Sequence, residues 1–337
     1  MTDTHPRKAR QGLLRPSPAE TLVSVVIPVF NEEETVPVLV ARLNEVLEAM
    51  EGDHEIIFVD DGSRDGSLSL LKEARADDER IKIVSFSRNF GHQVAISCGL
   101  DCASGDVVIA MDGDLQDPPE VVPELIRTWR AGYEVVYAVR RQRKENLLKR
   151  VAYKSFYWLL RKVSYLDIPL DSGDFSLMDR RIVSELRGMP ERNRFVRGLR
   201  TWVGFEQTGY AYERSSRYAG ESKYTLGRLM RLAFDGLISY SYVPLRLVSN
   251  IGMVVSVAAL VYMAYLVIAR FLGDTTIQGW VSTVAIVLFL GGVQLLSLGI
   301  IGEYIGRIFD EVKQRPQYVV REALGVDLCS ERSGIMP

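Results

Sequence analysis

The 337 residues carry 41 Lys and Arg against 43 Asp and Glu, a formal net charge of -2, which argues against a nucleic-acid binder. Such a chain holds a globular domain of roughly 200 residues with substantial length to spare. Three cysteines, Cys98, Cys102 and Cys329, fit neither a metal-ligand spacing nor a disulfide framework, so they read as thiols of a reducing compartment.

The first segment, Met1 to Glu20, is polar, basic and Pro-containing; it reads as a disordered tail over residues 1–21 and not as a signal peptide. From Leu22 to Val139 short β-branched runs alternate with helical patterns: Val23 to Val29, Glu55 to Val59, Ile81 to Phe86, Val107 to Met111 and Val135 to Val139. Strands joined by helices in this way predict a mostly parallel α/β sheet, doubly wound with helices on both faces. A polar turn follows each of the first four. These are Pro28-Val29-Phe30-Asn31-Glu32, Asp60-Asp61-Gly62-Ser63, Ser87-Arg88-Asn89-Phe90-Gly91-His92, and Asp112-Gly113-Asp114. Ligands of open α/β sheets bind beyond the carboxyl ends of the strands, so four such turns predict one crevice.

Asp112 and Asp114 suit a divalent cation, Mg²⁺ or Mn²⁺, whose shell is completed by substrate phosphates. An acidic turn capping the helix that starts near Pro118 is the other reading. Asp60-Asp61-Gly62-Ser63 likewise reads either as a ligand-facing turn or as a cap for the helix from Asp65 to Lys72. The first strand is not followed by Gly-x-Gly-x-x-Gly, and no Gly-x-x-x-x-Gly-Lys-Ser/Thr loop is present, so neither a dinucleotide oxidoreductase nor a P-loop NTPase is indicated.

Beyond Val139 the basic residues Arg140, Arg141, Arg143, Lys144, Lys149 and Arg150 crowd together with a single acid, Glu145. They read as an anion-binding patch or a solvated charged helix face. Asn146 to Leu166 mixes aromatic, aliphatic and basic residues as an interfacial helix does, and Leu226 to Tyr242 does likewise, heading a juxtamembrane stretch over 226–246; core or oligomer contact is the alternative for both. From Leu247 to Ala269 and from Ile277 to Gly302 there is no charged side chain, and each run is long enough to span a bilayer at about 20 residues. Arg228, Arg231 and Arg246 precede the pair and Arg307, Lys313 and Arg315 follow it, so both flanks are expected in the cytoplasm. The chain is therefore expected to be a cytoplasmic domain over 22–225, a two-helix hairpin within 247–302 and a cytoplasmic tail over 303–337.

The segments VVIPVFNEEE, FVDDGSRDGS, SFSRNFGHQVA, MDGDLQDPPE, GYEVVYAVR, SGDFSLMDR and AGESKYTLGRL, in that order and followed by paired apolar helices, resemble the family-2 glycosyltransferases that act on polyprenyl phosphates. The hairpin is similar to that of the bacterial undecaprenyl-phosphate glucosyltransferase and aminoarabinosyltransferase branch, relatives of the dolichyl-phosphate mannose synthases. The resemblance implies a GT-A fold, an inverting transfer from a nucleotide sugar such as UDP-glucose, a bound Mg²⁺ or Mn²⁺, and a polyprenyl-phosphate acceptor at the bacterial inner membrane, with a homo-oligomer, a tetramer by analogy. It implies that Pro28, Phe30, Glu32, Asp60 and Asp61 line the base and ribose pocket, that Asp114 ligates the metal with Asp112 on metal or ribose, and that Gln116 orients donor or acceptor. Arg88 is suited to phosphate or base; His92 reads as structural or functional. Asp174, in Ser172-Gly173-Asp174-Phe175, is the candidate carboxylate that orients or deprotonates the nucleophile, against the alternative of a plain turn. Arg140, Arg143 and Arg150 are expected at the lipid phosphate, and Arg217 and Lys223 as the charges of a clamp on either phosphate, with Arg194 and Arg197 as weaker members of the set. Other readings are a GDP-mannose-using synthase, a processive polysaccharide synthase, which would carry more membrane helices and a Gln-x-x-Arg-Trp motif, and a non-catalytic scaffold of the same fold.

Overall fold

The computed structural model describes residues 15–140, 172–189, 191–192, 194–213, 243–271 and 279–326. Among these, eight strands form one sheet: β1 (Leu22–Val29), β2 (Asp53–Asp60), β3 (Ile81–Phe86), β4 (Val107–Ala110), β5 (Val135–Arg140), β6 (Ser172–Asp179), β7 (Gln207–Tyr212) and β8 (Val320–Leu324). Their order is β7-β5-β6-β4-β1-β2-β3-β8. The β4-β1-β2-β3 block is parallel, with β1 between β2 and β4, so the winding direction reverses beside β1 and a crevice opens beyond the carboxyl ends of β1 and β4. The remaining strands make the sheet mixed: β6 runs antiparallel to both β4 and β5, and β8 antiparallel to β3. This is the GT-A architecture that the resemblance implies.

Helices α1 (Val36–Glu48), α2 (Ser67–Asp77), α3 (His92–Cys102), α4 (Val122–Arg130), α5 (Arg180–Gly188) and α6 (Val196–Trp202) accompany the sheet. Seven of the eight β1 residues are buried, because both faces are covered and a covered parallel strand has no polar side to show. Val23, Val25, Ile27 and Val29 enter one core with Leu39, Leu43 and Trp129. Val26 enters the other, with Phe86, Ile96, Cys98 and Tyr318. Cys98 and Cys102 are both buried free thiols, as their helical spacing suggested.

Two features of the sheet were not visible in the hydropathy pattern. Strand β6 pairs Ala110 with Ser176 in antiparallel register, so the chain just beyond that pair carries Asp112 and Asp174 to the same edge of the sheet. Strand β8 lies within the stretch expected to be a tail, and Tyr318 just before it stacks on Phe86 with ring centroids 5.0 Å apart. Such a pair stabilises by about 0.5–1.5 kcal/mol beyond the area it buries.

A second compact unit contains the two long helices, α7 (Val243–Phe271) and α8 (Trp280–Val312). Residues Phe289–Val312 form a 24-residue stretch apolar enough to cross a bilayer, with none of its apolar window buried in the protein. Met253, Val254, Leu260 and Val261 on α7, and Val287, Phe289, Leu295 and Leu296 on α8, are all exposed, far more apolar surface than water tolerates on a helix pair. This unit is associated with a membrane. The second helix runs ten residues beyond Gly302, where the uncharged run stops, and Glu303 and Arg307 pair along the surface of that extension at i,i+4.

Candidate active site

Each turn at the crevice is built by local chemistry. After β1, Asn31 adopts φ 55°, a left-handed conformation that Asn tolerates, and its side chain accepts from the Arg64 N–H at 2.9 Å. Pro28 is buried at the end of β1, whereas Phe30 is 43% exposed over the crevice edge. The Glu32 carboxylate accepts from the Thr35 hydroxyl at 2.9 Å and its N–H reaches the Ser67 hydroxyl at 2.8 Å. This turn is therefore stitched to the one after β2.

The Asp60 and Asp61 side chains both serve the protein. Asp60 accepts from the Ser63 N–H at 2.9 Å and the Ser85 hydroxyl at 2.7 Å. Asp61 accepts from the Phe90 N–H at 2.6 Å and the Gly91 N–H at 3.0 Å, so it anchors the turn after β3. Burial pushes the Asp61 carboxyl above its ordinary range against those two backbone bonds. Gly62 at φ 70° is required here: a Cβ would lie 2.5 Å from the Arg88 carbonyl carbon. Arg88 itself is exposed, lies over the Phe90 ring at 4.0 Å and donates to the Asn89 carbonyl at 3.0 Å.

Asp112 sits just past β4, and the chain then turns through Leu115, which is held at φ 56° while 97% buried. A left-handed leucine costs about 1–2 kcal/mol, a strain typical of functional turns. The turn lets the Asp114 side chain accept from the Gln116 N–H at 3.1 Å. Asp117 is fully buried and takes a hydrogen bond from the Tyr212 hydroxyl on β7.

The antiparallel β6 brings the decisive group together. His92 Nε2 lies 3.4 Å from Asp112 Oδ1 and 3.3 Å from Asp174 Oδ2. Asp174 is held further by Gln93 Nε2 at 3.0 Å and Arg197 Nε at 3.0 Å, while the Gln93 side-chain oxygen Oε1 accepts from the Val196 N–H at 3.1 Å. Helices α3 and α6 thus clamp one carboxylate from two sides. Burial would raise the Asp174 pKa, but the His92 hydrogen bond and the Arg197 charge outweigh it and hold the group well below the usual carboxylate range. Asp112 is the opposite case: burial pushes it to about 6, only partly offset by His92, with Asp117, Asp174 and Asp114 adding repulsion. Partial burial opposes the charge on His92, yet the two carboxylates prevail and its pKa stands above the ordinary value.

His92, Asp112 and Asp174 offer ligand atoms within 4.8 Å of one another, an arrangement able to hold a cation. Asp112 Oδ1 is also buried with no hydrogen-bond donor, as a carboxylate oxygen awaiting a metal would be. One imidazole and two carboxylates suit Mn²⁺ or a phosphate-assisted Mg²⁺. Among the described residues Asp114 is not in this group of three, so the sequence pair Asp112 and Asp114 contributes one member to it. His92, Gln93 and Arg197 were the contributors that sequence reasoning undervalued; only the strand register reveals that they meet Asp174. Arg140 ends β5 in the backbone, and Arg143, Arg150, Arg217 and Lys223 lie outside the described residues, as does the interfacial stretch 146–166. Arg194 is buried and donates to the Leu186 carbonyl, a structural role on α5.

Residues 24–187 match Glycosyl transferase family 2, and residues 243–308 match the GtrB C-terminal hairpin. An uncharacterized glycosyltransferase of Bacillus subtilis, YkcC, is 47% identical over 305 residues, covering 90% of this chain and 94% of its own. The SfII prophage-derived bactoprenol glucosyl transferase of Shigella flexneri is 42% identical over 302 residues, 89% of this chain and 98% of its own. A prophage bactoprenol glucosyl transferase homolog of Escherichia coli is 40% identical, with 89% and 98% covered.

Proposed function

The chain belongs to glycosyl transferase family 2, and from that premise we propose that it transfers glucose from UDP-glucose to the phosphate of bactoprenol at a membrane surface, inverting the anomeric carbon. The observation that carries this reading is the His92-Asp112-Asp174 cluster at the carboxyl edge of the sheet, in a chain whose relatives over nine-tenths of its length include bactoprenol glucosyl transferases.

The donor leaves as a nucleoside diphosphate, so the site must neutralise charge on the departing oxygen. Asp112, Asp174 and His92, with Asp114 nearby in sequence, would hold a divalent cation, which when bound would supply that neutralisation as a Lewis acid. The acceptor phosphate monoester is largely dianionic above a pKa of about 6, so its oxygen attacks without help from a strong base. Asp174 matches that requirement. A carboxylate kept anionic by His92 and Arg197 is a poor proton acceptor, and its work is orientation and charge balance. Arg197, 32% exposed on its side chain beside Asp174, is suited by its charge to an acceptor or donor phosphate. Gln116 orients donor or acceptor, and Phe30, Glu32 and Arg88 line the nucleotide side. Arg140, Arg143, Arg150, Arg217 and Lys223 complete the phosphate-binding set.

The hairpin crosses the membrane twice, with both flanks on the catalytic side. In support, β7 before it and β8 after it belong to one sheet, and two ends of one sheet cannot lie on opposite sides of a bilayer, so the number of crossings between them is even. Basic residues at both flanks favour the cytoplasm. On this reading catalysis runs on the cytoplasmic face of the bacterial inner membrane, and a homo-oligomer is the assembly expected by family analogy alone.

The test is a donor panel on the purified full chain with undecaprenyl phosphate and Mg²⁺ or Mn²⁺, offering radiolabelled UDP-glucose, UDP-N-acetylglucosamine, UDP-aminoarabinose derivatives and GDP-mannose. Lipid-soluble label is expected from UDP-glucose and is lost on chelation. Label from GDP-mannose alone would replace the reading with a mannose synthase, and no label from any donor would replace it with a scaffold.

A further inference from the structure

The segment after α8 lies outside both family matches, yet it is built into the catalytic sheet. Seven residues, 313–319, separate the end of α8 from β8. Within them Gln317 Nε2 donates to the Glu191 carbonyl at 2.9 Å, and Tyr318 is 99% buried. The Ser87 N–H donates to the Val319 carbonyl at 2.9 Å, and Arg321 Nη2 returns a bond to the Ser87 carbonyl at 2.9 Å. Lys72 on α2 pairs with Glu322 at 2.6 Å. A strand that only shielded the edge of β3 would need the backbone ladder and little else. This one adds a buried aromatic and two hydrogen bonds at a single residue, Ser87, where β3 gives way to the turn carrying Arg88 and His92.

The contacts form a continuous chain into that turn. The Tyr318 ring lies flat on Phe86 at 5.0 Å, and Phe86 meets Phe90 edge-on at 5.7 Å. The Tyr318 hydroxyl meets the Cys98 thiol on α3, the helix that begins with His92 and Gln93. Phe90 and Gly91 are the residues whose N–H groups bind Asp61, and the Phe90 ring underlies the Arg88 guanidinium.

We infer that Tyr318 is a positioning residue for the donor side of the site, fixing the Ser87–His92 turn through Phe86 and Phe90. The element next in sequence to the membrane helix is thereby also part of the floor under the nucleotide, an inference that rests on the donor reading given above for this turn. A turn anchored only by the Asp61 carboxylate would open locally, as surface turns with few buried contacts do, and Tyr318 closes it from beneath.

The experiment compares the full-length wild type, Y318A, Y318F and L43A. Leu43 is buried in α1 within the other core, so L43A creates a cavity of similar kind away from the turn. Two readouts are taken: hydrogen exchange at the Phe90 and Gly91 amides without nucleotide, and UDP affinity with Mn²⁺. Y318A is expected to exchange those two amides about tenfold faster and to bind UDP about tenfold more weakly, while Y318F and L43A keep wild-type values for both. Equal exchange at Phe90 and Gly91 in Y318A and L43A overturns the inference. If wild type binds no UDP, the donor reading fails separately, and faster exchange confined to Y318A still supports the positioning role.

Discussion

Replacing Asp174 by Asn preserves shape and removes one charge, which isolates what the clamp contributes. In the native site the carboxylate receives a bond from Arg197 at 3.0 Å on Oδ1, and bonds from His92 at 3.3 Å and from the neutral Gln93 amide at 3.0 Å on Oδ2. Bonds to charged groups are worth about 1.5–3 kcal/mol each; because Arg197 bonds Oδ1 while His92 and Gln93 bond Oδ2, the amide keeps an oxygen on one side only, losing one charge-assisted bond outright and reducing another to about 1 kcal/mol, a gross loss of about 2–5 kcal/mol. Against it stands the desolvation of a carboxylate only 12% exposed, which the amide avoids. The net destabilisation is expected to be about 1–2 kcal/mol, small enough for the protein to remain folded at 25 °C. The effect on turnover is larger. Loss of one preorganised electrostatic group typically costs about 10²–10³ in kcat, or about 2.7–4 kcal/mol. Initial rates of label transfer from UDP-glucose to undecaprenyl phosphate at saturating Mn²⁺, alongside thermal unfolding and UDP affinity, read all three quantities. UDP affinity measured without metal is expected to be unchanged. A D174N protein that turns over within threefold of wild type at saturating Mn²⁺ would refute the assignment of Asp174 to the catalytic centre.

Three further outcomes are expected. D114A should abolish label transfer while shifting the unfolding free energy by less than about 1 kcal/mol, as for a half-exposed turn residue; measurable turnover would exclude Asp114 from the metal and diphosphate environment. Mn²⁺ affinity of the nucleotide-free protein should rise from pH 5.5 to 7, because bound protons compete with metal and must leave His92, whose pKa stands above its ordinary value, and Asp112, which titrates at about 6. The rise is up to tenfold per pH unit for each proton displaced, and a flat titration by calorimetry would remove both groups from the ligand set. G62A should lose about 1–3 kcal/mol in denaturant unfolding, since φ 70° and a Cβ 2.5 Å from the Arg88 carbonyl carbon leave no relaxed position; an unchanged midpoint would show the turn is not as tightly opposed to Arg88.

The parallel half of the fold was legible because its strands are buried on both faces, and continuous β-branched runs such as Val23 to Val29 announce that condition. The turns were legible because each interrupts such a run with Asp, Asn, Gly or Ser. Strands β6 and β8 were not, for a physical reason. Ser172–Asp179 carries few β-branched residues and Val320–Leu324 is an edge with Arg and Glu on it, so both owe their pairing to partners distant in sequence. The same lack hid half of the site. Asp174 was legible as a candidate carboxylate within Ser172-Gly173-Asp174-Phe175, with a plain turn as the alternative, but its bonds to His92, Gln93 and Arg197 follow from an antiparallel register that no local pattern encodes.

Strand β8 has a further consequence for how the molecule is made. Synthesis delivers the first seven strands, then both apolar helices, and only afterwards the residues from Tyr318 onward that close the exposed rim of β3. At roughly 5–20 residues per second, the 100 or so residues between β7 and β8 postpone that closure by about 5–20 s after the rest of the sheet has left the ribosome. A nascent chain whose anchor has yet to emerge therefore has an open strand edge and no Tyr318 beneath the Ser87–His92 turn. Maturation of the catalytic unit thus waits for the anchor, and a chain released before that point lacks the finished site.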